Sequence, residues 1–88
     1  MISTKGRYAL RVMIYLAEQN SAGYIPLNEI ATRQQISEKY LEIILKVLVK
    51  NKLLEGQRGK GGGYRLTRPI NEYTAGEILE PVSYTHLR

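Results

Sequence analysis

The sequence predicts one small domain that is mainly α-helical and carries a single β-hairpin. Three observations support this fold class. The first 51 residues contain three amphipathic segments, a glycine-rich basic segment then separates two strand-like runs, and a helix-capping pattern follows. The 88 residues provide room for one hydrophobic core, and the 43% hydrophobic and 24% charged residues are typical of a globular domain.

The first two helices are predicted from the spacing of apolar residues. From Thr4 to about Asn20, apolar side chains recur at three- and four-residue steps, and the Asn20-Ser21-Ala22-Gly23 turn ends this helix. A second helix is expected from about Leu27 to Gln34, because Pro26 suits the approach to a helix. Its inward face would consist of Leu27, Ile30 and Ala31.

The third helix is expected to begin after Ser37, whose hydroxyl is a suitable N-cap, and to run to about Asn51. Glu38 complements the positive end of the helix dipole. The buried stripe is predicted to contain Tyr40, Leu41, Ile44, Leu45, Val47 and Leu48. The outer face is predicted to contain Ser37, Lys39, Glu42, Ile43, Lys46 and Lys50.

A β-hairpin with a long basic tip is predicted next. Leu53-Leu54-Glu55 and Gly63-Tyr64-Arg65-Leu66 are strand-like, and five of the eight positions from 56 to 63 are glycine. Thr74-Ala75-Gly76-Glu77 has the spacing of a capping box and opens a short helix that reaches Leu79. Two short helices joined by a tight turn and followed by a basic hairpin have the plan of a winged helix-turn-helix.

The distribution of charge indicates a nucleic-acid partner. The chain has 13 Lys and Arg against 8 Asp and Glu, a formal net charge of +5. Four of these cations and no acid lie between Arg58 and Arg68. No stretch reaches the roughly 20 apolar residues of a membrane span, so we expect a cytoplasmic protein that does not use a membrane.

The outer face of the third helix is predicted to read bases. The first residues of the second helix of a helix-turn-helix point into the major groove, and here these are Ser37, Lys39 and Glu42, followed by Ile43 and Lys46. Phosphates repel a glutamate, so a glutamate on this surface weakens DNA binding. It fits this surface if its carboxylate accepts a hydrogen bond from a cytosine amino group. The alternative, in which Glu42 pairs with Lys39 or Lys46 on a solvated face, stays open.

The glycine-rich tip is predicted to be a DNA-binding wing. Glycines allow the backbone to lie against a sugar-phosphate wall or in a minor groove, where Arg58 meets concentrated negative potential. Lys60, Arg65 and Arg68 would then contact phosphates. A nucleotide-binding loop is excluded because Gly61 follows Lys60 where that loop needs Ser or Thr. A flexible surface turn is the simpler alternative.

Catalysis and metal binding are not expected in this part of the protein. The chain has no cysteine and one histidine, His86, so cysteine nucleophiles, thiolate ligands and multi-histidine sites are excluded. Ser83 and His86 have no acid beside them, and we therefore predict that the chain is not an enzyme. We also expect no metal and no cofactor in it.

Four segments together resemble one family of regulators. These segments are Met1 to Leu10, Ile36 to Glu42, Arg58 to Leu66 and Tyr73 to Ile78. Together they closely resemble the IscR/CymR/NsrR family of bacterial winged helix-turn-helix transcriptional regulators. The resemblance implies a homodimeric regulator of double-stranded DNA, a repressor of the type that controls cysteine-metabolism, iron–sulfur or redox-stress genes. It also implies major-groove positions for Ser37, Lys39, Tyr40 and Glu42 and minor-groove positions for Arg58 and Gly59.

The resemblance also bears on the end of the chain. Family members continue with a long dimerisation helix, and many carry three cysteines there for an iron–sulfur cluster. Residues 1–80 are therefore expected to be a DNA-binding domain that stops before this helix, and a cluster is left open for the full-length protein. Residues 81–88 are predicted to be a non-native tail, because Val82 to Arg88 can be back-translated into a transposase sequencing-adaptor end.

Two other functions stay open at this point. A winged helix can also bind a protein partner, and Ile43 on the outer face of the third helix would then be the anchor. A non-specific DNA-binding protein would share the same basic surface. Whether affinity depends on base sequence at fixed salt separates such a protein from a specific regulator.

Overall fold

The computed structural model of the protein describes residues 3–19 and 23–85, and the side chains only as far as residue 82. The predicted order of three helices, a hairpin and a closing helix is confirmed. The elements are α1 (Thr4–Glu18), α2 (Leu27–Gln34), α3 (Glu38–Lys50), β1 (Leu54–Gln57), β2 (Gly63–Leu66), a 3-10 turn (Ile70–Glu72) and α4 (Ala75–Thr85). Asn20, Ser21 and Ala22 of the predicted turn and residues 86–88 of the predicted tail lie outside the described residues.

Side-chain caps fix the starts of three helices. The Ser3 hydroxyl accepts a hydrogen bond from the Gly6 amide at 3.0 Å, at the start of α1. The Ser37 hydroxyl accepts from the Tyr40 amide at 3.1 Å, which confirms the predicted N-cap of α3. Thr74 and Glu77 form the predicted reciprocal capping box, with distances of 3.0 and 3.1 Å.

One hydrophobic core joins all four helices and the hairpin. The inward face of α3 is fully buried at Leu41, Ile44, Leu45 and Leu48, as predicted, whereas Tyr40 and Val47 are half-buried at its margin. α2 contributes Ile30 and the small Ala31, where it lies against its neighbours. No helix of the described residues is both long and apolar enough to cross a lipid bilayer.

Both ends of β1 and the end of α4 differ from the sequence prediction, and β1 continues past Glu55 to Gln57. β1 begins at Leu54, not at Leu53, because the Leu53 amide donates to the Leu48 carbonyl at 2.9 Å and so belongs to the turn that closes α3. α4 continues beyond Leu79 to Thr85, and Val82 is fully buried in the core. Residues 81–85 are therefore part of a helix, and the origin of the 81–88 segment stays a prediction.

A close backbone approach attaches the hairpin to the rest of the domain. β1 and β2 pair antiparallel, from Leu54 opposite Leu66 to Gln57 opposite Gly63. Beyond this pairing, Tyr64 exchanges two backbone hydrogen bonds with Ile25, at 2.8 and 2.9 Å. Gly63 has a φ of +142°, and a Cβ there would lie 2.1 Å from the Ile25 carbonyl oxygen. Only glycine can occupy this position without displacing the Ile25 segment.

This contact predicts different costs for two alanine substitutions in the hairpin. Gly61 also has a positive φ, +78°, but a Cβ there would meet nothing within 4 Å. Gly61→Ala should therefore cost only backbone strain, about 1 kcal/mol. Gly63→Ala should lower the free energy of unfolding by about 1 to 3 kcal/mol more, since it also disrupts the bridge to Ile25. Urea unfolding of both variants measures this difference, and equal losses would contradict the role assigned to the bridge.

Candidate nucleic-acid interface

The turn between α2 and α3 is fixed by a residue in the left-handed region and by an arginine from α1. Gln35 has φ 56° and ψ 51°, and its backbone amide donates to Thr32. Arg11 donates twice to Gln34, from Nε to the side-chain oxygen and from Nη2 to the backbone carbonyl, each at 3.1 Å. The cation therefore lies at the negative end of the α2 dipole, and it connects α1 to the helix-turn-helix unit.

Aromatic packing places the first turn of α3 beside α1. The rings of Tyr8 and Tyr40 meet edge to face, with centroids 5.8 Å apart and an interplanar angle of 88°. The Arg11 guanidinium lies 5.0 Å from the Tyr8 ring centroid. Tyr40 thus has a packing role in the protein itself and stays half-buried, with part of its surface open to a ligand.

The outer face of α3 is exposed as predicted. Its members are Ser37, Lys39, Glu42, Ile43, Lys46 and Lys50. Three lysines and Ile43 follow one another at steps of four, three and four residues, so they share the row opposite the buried stripe. Among the described residues, Glu42 forms no ion pair with Lys39 or Lys46, so the solvated-pair interpretation has no support in this structure.

A groove runs between α3 and the hairpin. Its volume is about 650 Å³. Glu42, Lys46 and Lys50 line it from α3, and Arg58 and Gly59 line it from the hairpin. Within residues 3–19 and 23–85, Lys46, Lys50 and Arg58 form no ion pair. The groove is therefore bordered by uncompensated positive charge on both sides, with one carboxylate on the α3 side.

Tyr64 lies in this groove between the helix and the hairpin. A Cβ on Gly56 would lie 3.3 Å from the Tyr64 ring and 3.7 Å from Val49 of α3, so the ring fills the space between strand and helix. Burial raises the pKa of the Tyr64 hydroxyl, and so does the Glu42 carboxylate, whereas Arg58 lowers it. The phenol is therefore protonated at neutral pH and can donate or accept a hydrogen bond beside Glu42 and Arg58.

Arg65 points to the opposite face of the hairpin. Its Nε donates to a Glu55 carboxylate oxygen at 2.7 Å, and its guanidinium lies 4.4 Å from the Tyr24 ring centroid. Side chains alternate between faces along a strand, so Tyr64 in the groove places its neighbour Arg65 on the other side.

The hydroxyl groups of Tyr73 and Thr67 hold the base of the hairpin, and Thr67 Oγ1 donates to the Lys52 carbonyl at 3.0 Å. Tyr73 Oη donates to the Leu53 carbonyl at 2.8 Å and accepts from the backbone amides of Thr67 and Arg68 at 3.0 and 3.1 Å. Arg68 in turn lies over the Tyr73 ring at 4.4 Å. These contacts fix the segment after β2 against the end of α3, which sets the orientation of the hairpin.

The structure brings only some of the predicted site residues together. Glu42, Lys46, Arg58 and Gly59 share the groove. Ser37 is the N-cap of α3, Lys39 and Tyr40 lie in its first turn, and Lys60 is exposed at the hairpin tip. Arg65 lies on the other face, and whether any of these residues contacts DNA stays a prediction. Lys50 and Tyr64 line the groove although they were not predicted as site residues.

The arrangement of helices, hairpin and groove defines a winged helix-turn-helix protein. Residues 2–86 match the Rrf2 family, whose description is "Iron-dependent Transcriptional regulator". The chain belongs to this family. It is 41% identical over 81 residues to the HTH-type transcriptional regulator IscR of Escherichia coli, a match that covers 92% of this chain and 50% of IscR.

Solved structures of relatives have the same fold. T. potens IscR superposes with a TM-score of 0.83 at 39% identity, over 93% of this chain and 60% of that one. CymR, the global cysteine regulator of B. subtilis, superposes with a TM-score of 0.85 at 41% identity, over 92% of this chain and 63% of that one. The oxidised form of Staphylococcus aureus CymR superposes with a TM-score of 0.82 at 42% identity, over 92% of this chain and 65% of that one.

The chain spans about half the length of the curated relatives it matches. Because the sequence contains no cysteine, its residues do not fit a thiolate-bound iron–sulfur cluster. Within the part of the chain that the structure describes, no group of three His, Cys, Asp or Glu residues could hold a metal ion either.

Proposed function

We propose that this chain is the DNA-binding domain of a sequence-specific transcriptional regulator. The observation that carries the proposal is the groove between α3 and the hairpin, which Lys46, Lys50 and Arg58 border without ion-pair partners among the described residues. When α3 enters the major groove of a duplex and the hairpin enters the adjacent minor groove, one sugar-phosphate strand passes between them. Three cations on the two walls suit that strand.

Each of the two walls has a separate task in this proposal. Sequence is read in the major groove, and the side chains that we assign to it are Ser37, Lys39, Tyr40, Glu42 and Lys46. Glu42 accepts from a cytosine amino group, which its exposed carboxylate is able to do. On the hairpin, Arg58 and Gly59 enter the minor groove and Lys60 contacts phosphate. Arg65 contributes least, because a phosphate has to replace its ion pair with Glu55.

The properties of the whole protein are extended from its relatives. We infer a homodimer that acts in the cytoplasm as a repressor and has no catalytic activity. The names of the relatives, a global cysteine regulator and an iron-dependent regulator, support control of cysteine-metabolism, iron–sulfur or redox-stress genes. If the full-length protein holds an iron–sulfur cluster, its thiolates come from outside these 88 residues.

The proposed wing contact is tested by the salt dependence of DNA binding. Arg58→Ala should weaken binding, and it should reduce the slope of log affinity against log salt by about 0.9 for the lost contact. Arg33→Ala is the matched control, because it removes the same charge from the last turn of α2. Fluorescence anisotropy with a labelled duplex at several salt concentrations measures both slopes. If the two variants change the slope equally, only net charge matters and Arg58 has no specific contact.

The proposed base contact is tested by the preference for single bases. Glu42→Ala should relax the preference at one position of each half-site by about 1 to 3 kcal/mol, because the carboxylate no longer accepts from cytosine. Binding to duplexes that differ at one base pair, at fixed salt, measures this preference. Glu18→Ala removes an exposed carboxylate from α1 and should leave the preference unchanged. An unaltered preference in Glu42→Ala would refute the assignment, and equal affinity of the wild type for all duplexes would refute specific binding.

A further inference from the structure

Ile43 is an exposed apolar residue on the outer face of α3. Its side chain remains 41% exposed, whereas Leu41, Ile44, Leu45 and Leu48 of the same helix are fully buried. Ile43 lies four residues after Lys39 and three before Lys46, so the three side chains share one row opposite the core. It therefore lies outside the buried stripe of α3 and stabilises the core little.

Exposure alone does not distinguish Ile43 from other surface residues. Ile14 and Ile70 are exposed to a similar extent, 52% and 40%, and single exposed aliphatic residues are common on protein surfaces. The position of Ile43 is what differs. Ile14 lies on α1 and Ile70 lies in the 3-10 turn after the hairpin, whereas Ile43 lies between two lysines on the helix that borders the basic groove.

The chemistry of the major groove limits what an isoleucine can recognise there. Every base pair presents hydrogen-bond donors and acceptors in this groove, and the C5 methyl of thymine is its apolar group. An isoleucine that enters the groove loses water from its methyl groups, and this is favourable when they pack against another apolar group. Ile is β-branched and stiff at χ1 in a helix, so it presents its methyls in one fixed direction. The stems of Lys39 and Lys46 are apolar as well, and they can screen such a contact from water.

We propose that Ile43 selects thymine, by packing its side chain against the C5 methyl of one thymine in the DNA segment that α3 faces. The inference rests on the proposed function, and it adds an apolar contact to the polar reading assigned to the rest of α3. The lysines on either side attract the duplex without regard to its sequence, so the isoleucine contributes discrimination where they contribute affinity.

The experiment removes the methyl group from the DNA and the side chain from the protein. A preferred duplex is first selected from a randomised pool with the 88-residue chain. Each thymine of that duplex is then replaced in turn by deoxyuridine, which differs only in lacking the C5 methyl. For one thymine, the wild type should lose about fourfold in affinity, the value expected for one buried methyl group. Ile43→Ala should bind the thymine and uracil duplexes equally, and Ile14→Ala should behave as the wild type.

The outcomes separate this inference from the proposed function. Selection of a defined duplex together with a uracil effect that vanishes in Ile43→Ala supports both. If a duplex is selected and Ile43→Ala shows the same uracil effects as the wild type, the thymine contact is wrong and specific binding stands. If no sequence is enriched, the proposed function fails and the inference fails with it. Loss of a protein partner by Ile43→Ala, with unchanged DNA binding, would assign Ile43 to protein recognition instead.

Discussion

The arrangement of the groove depends on the close approach between the backbones of Gly63 and Ile25. This approach lets Tyr64 form two backbone hydrogen bonds with Ile25, and β2 is thereby attached to the segment that leads into α2. Since side chains alternate along a strand, the same register turns the Tyr64 ring toward Val49 of α3. One backbone contact and one aromatic ring, neither of which carries a charge, thus set the distance between helix and hairpin together with the Tyr73 hydroxyl at the base of the hairpin.

The orientation of α3 is determined separately, by contacts at its N-terminal end. Burial of its apolar stripe supplies most of the stability, because exposed hydrogen bonds contribute little individually. The polar and aromatic contacts of α1 determine the angle instead: Arg11 holds the end of α2, and Tyr8 packs against Tyr40 at the start of α3. The left-handed conformation of Gln35 is unfavourable for a residue with a Cβ, and the surrounding packing compensates for it.

Sequence patterns predicted those features that depend on neighbouring residues. The caps at Ser37 and Thr74 were predictable because their donors lie three residues away. The start of β1 was not, because Leu53 is held in the turn after α3 on both sides: its amide donates to the Leu48 carbonyl, and its carbonyl accepts from Tyr73, twenty residues later. Arg65 lies where it does because it pairs with Glu55 on the neighbouring strand. The sequence prediction grouped Arg65 with the other basic residues of the hairpin and did not consider this acidic partner. Two sequence signals could have corrected the predicted site. The alternation of side chains along β2 places Arg65 and Tyr64 on opposite faces of the hairpin, and the four-residue step from Lys46 places Lys50 on the same face of α3.

Specific binding by this surface requires more than positive charge. Lysines and arginines attract the phosphates of any duplex, so a row of cations alone would bind all sequences with similar affinity. Glu42 and Ile43 gain nothing from phosphates, since the first is repelled by them and the second is apolar. If α3 faces DNA, both residues raise the cost of binding until a suitable base offers an amino or a methyl group. In the proposed complex, a carboxylate and an isoleucine among lysines would therefore convert general attraction into a difference in affinity between sequences, which is what specificity means in energetic terms.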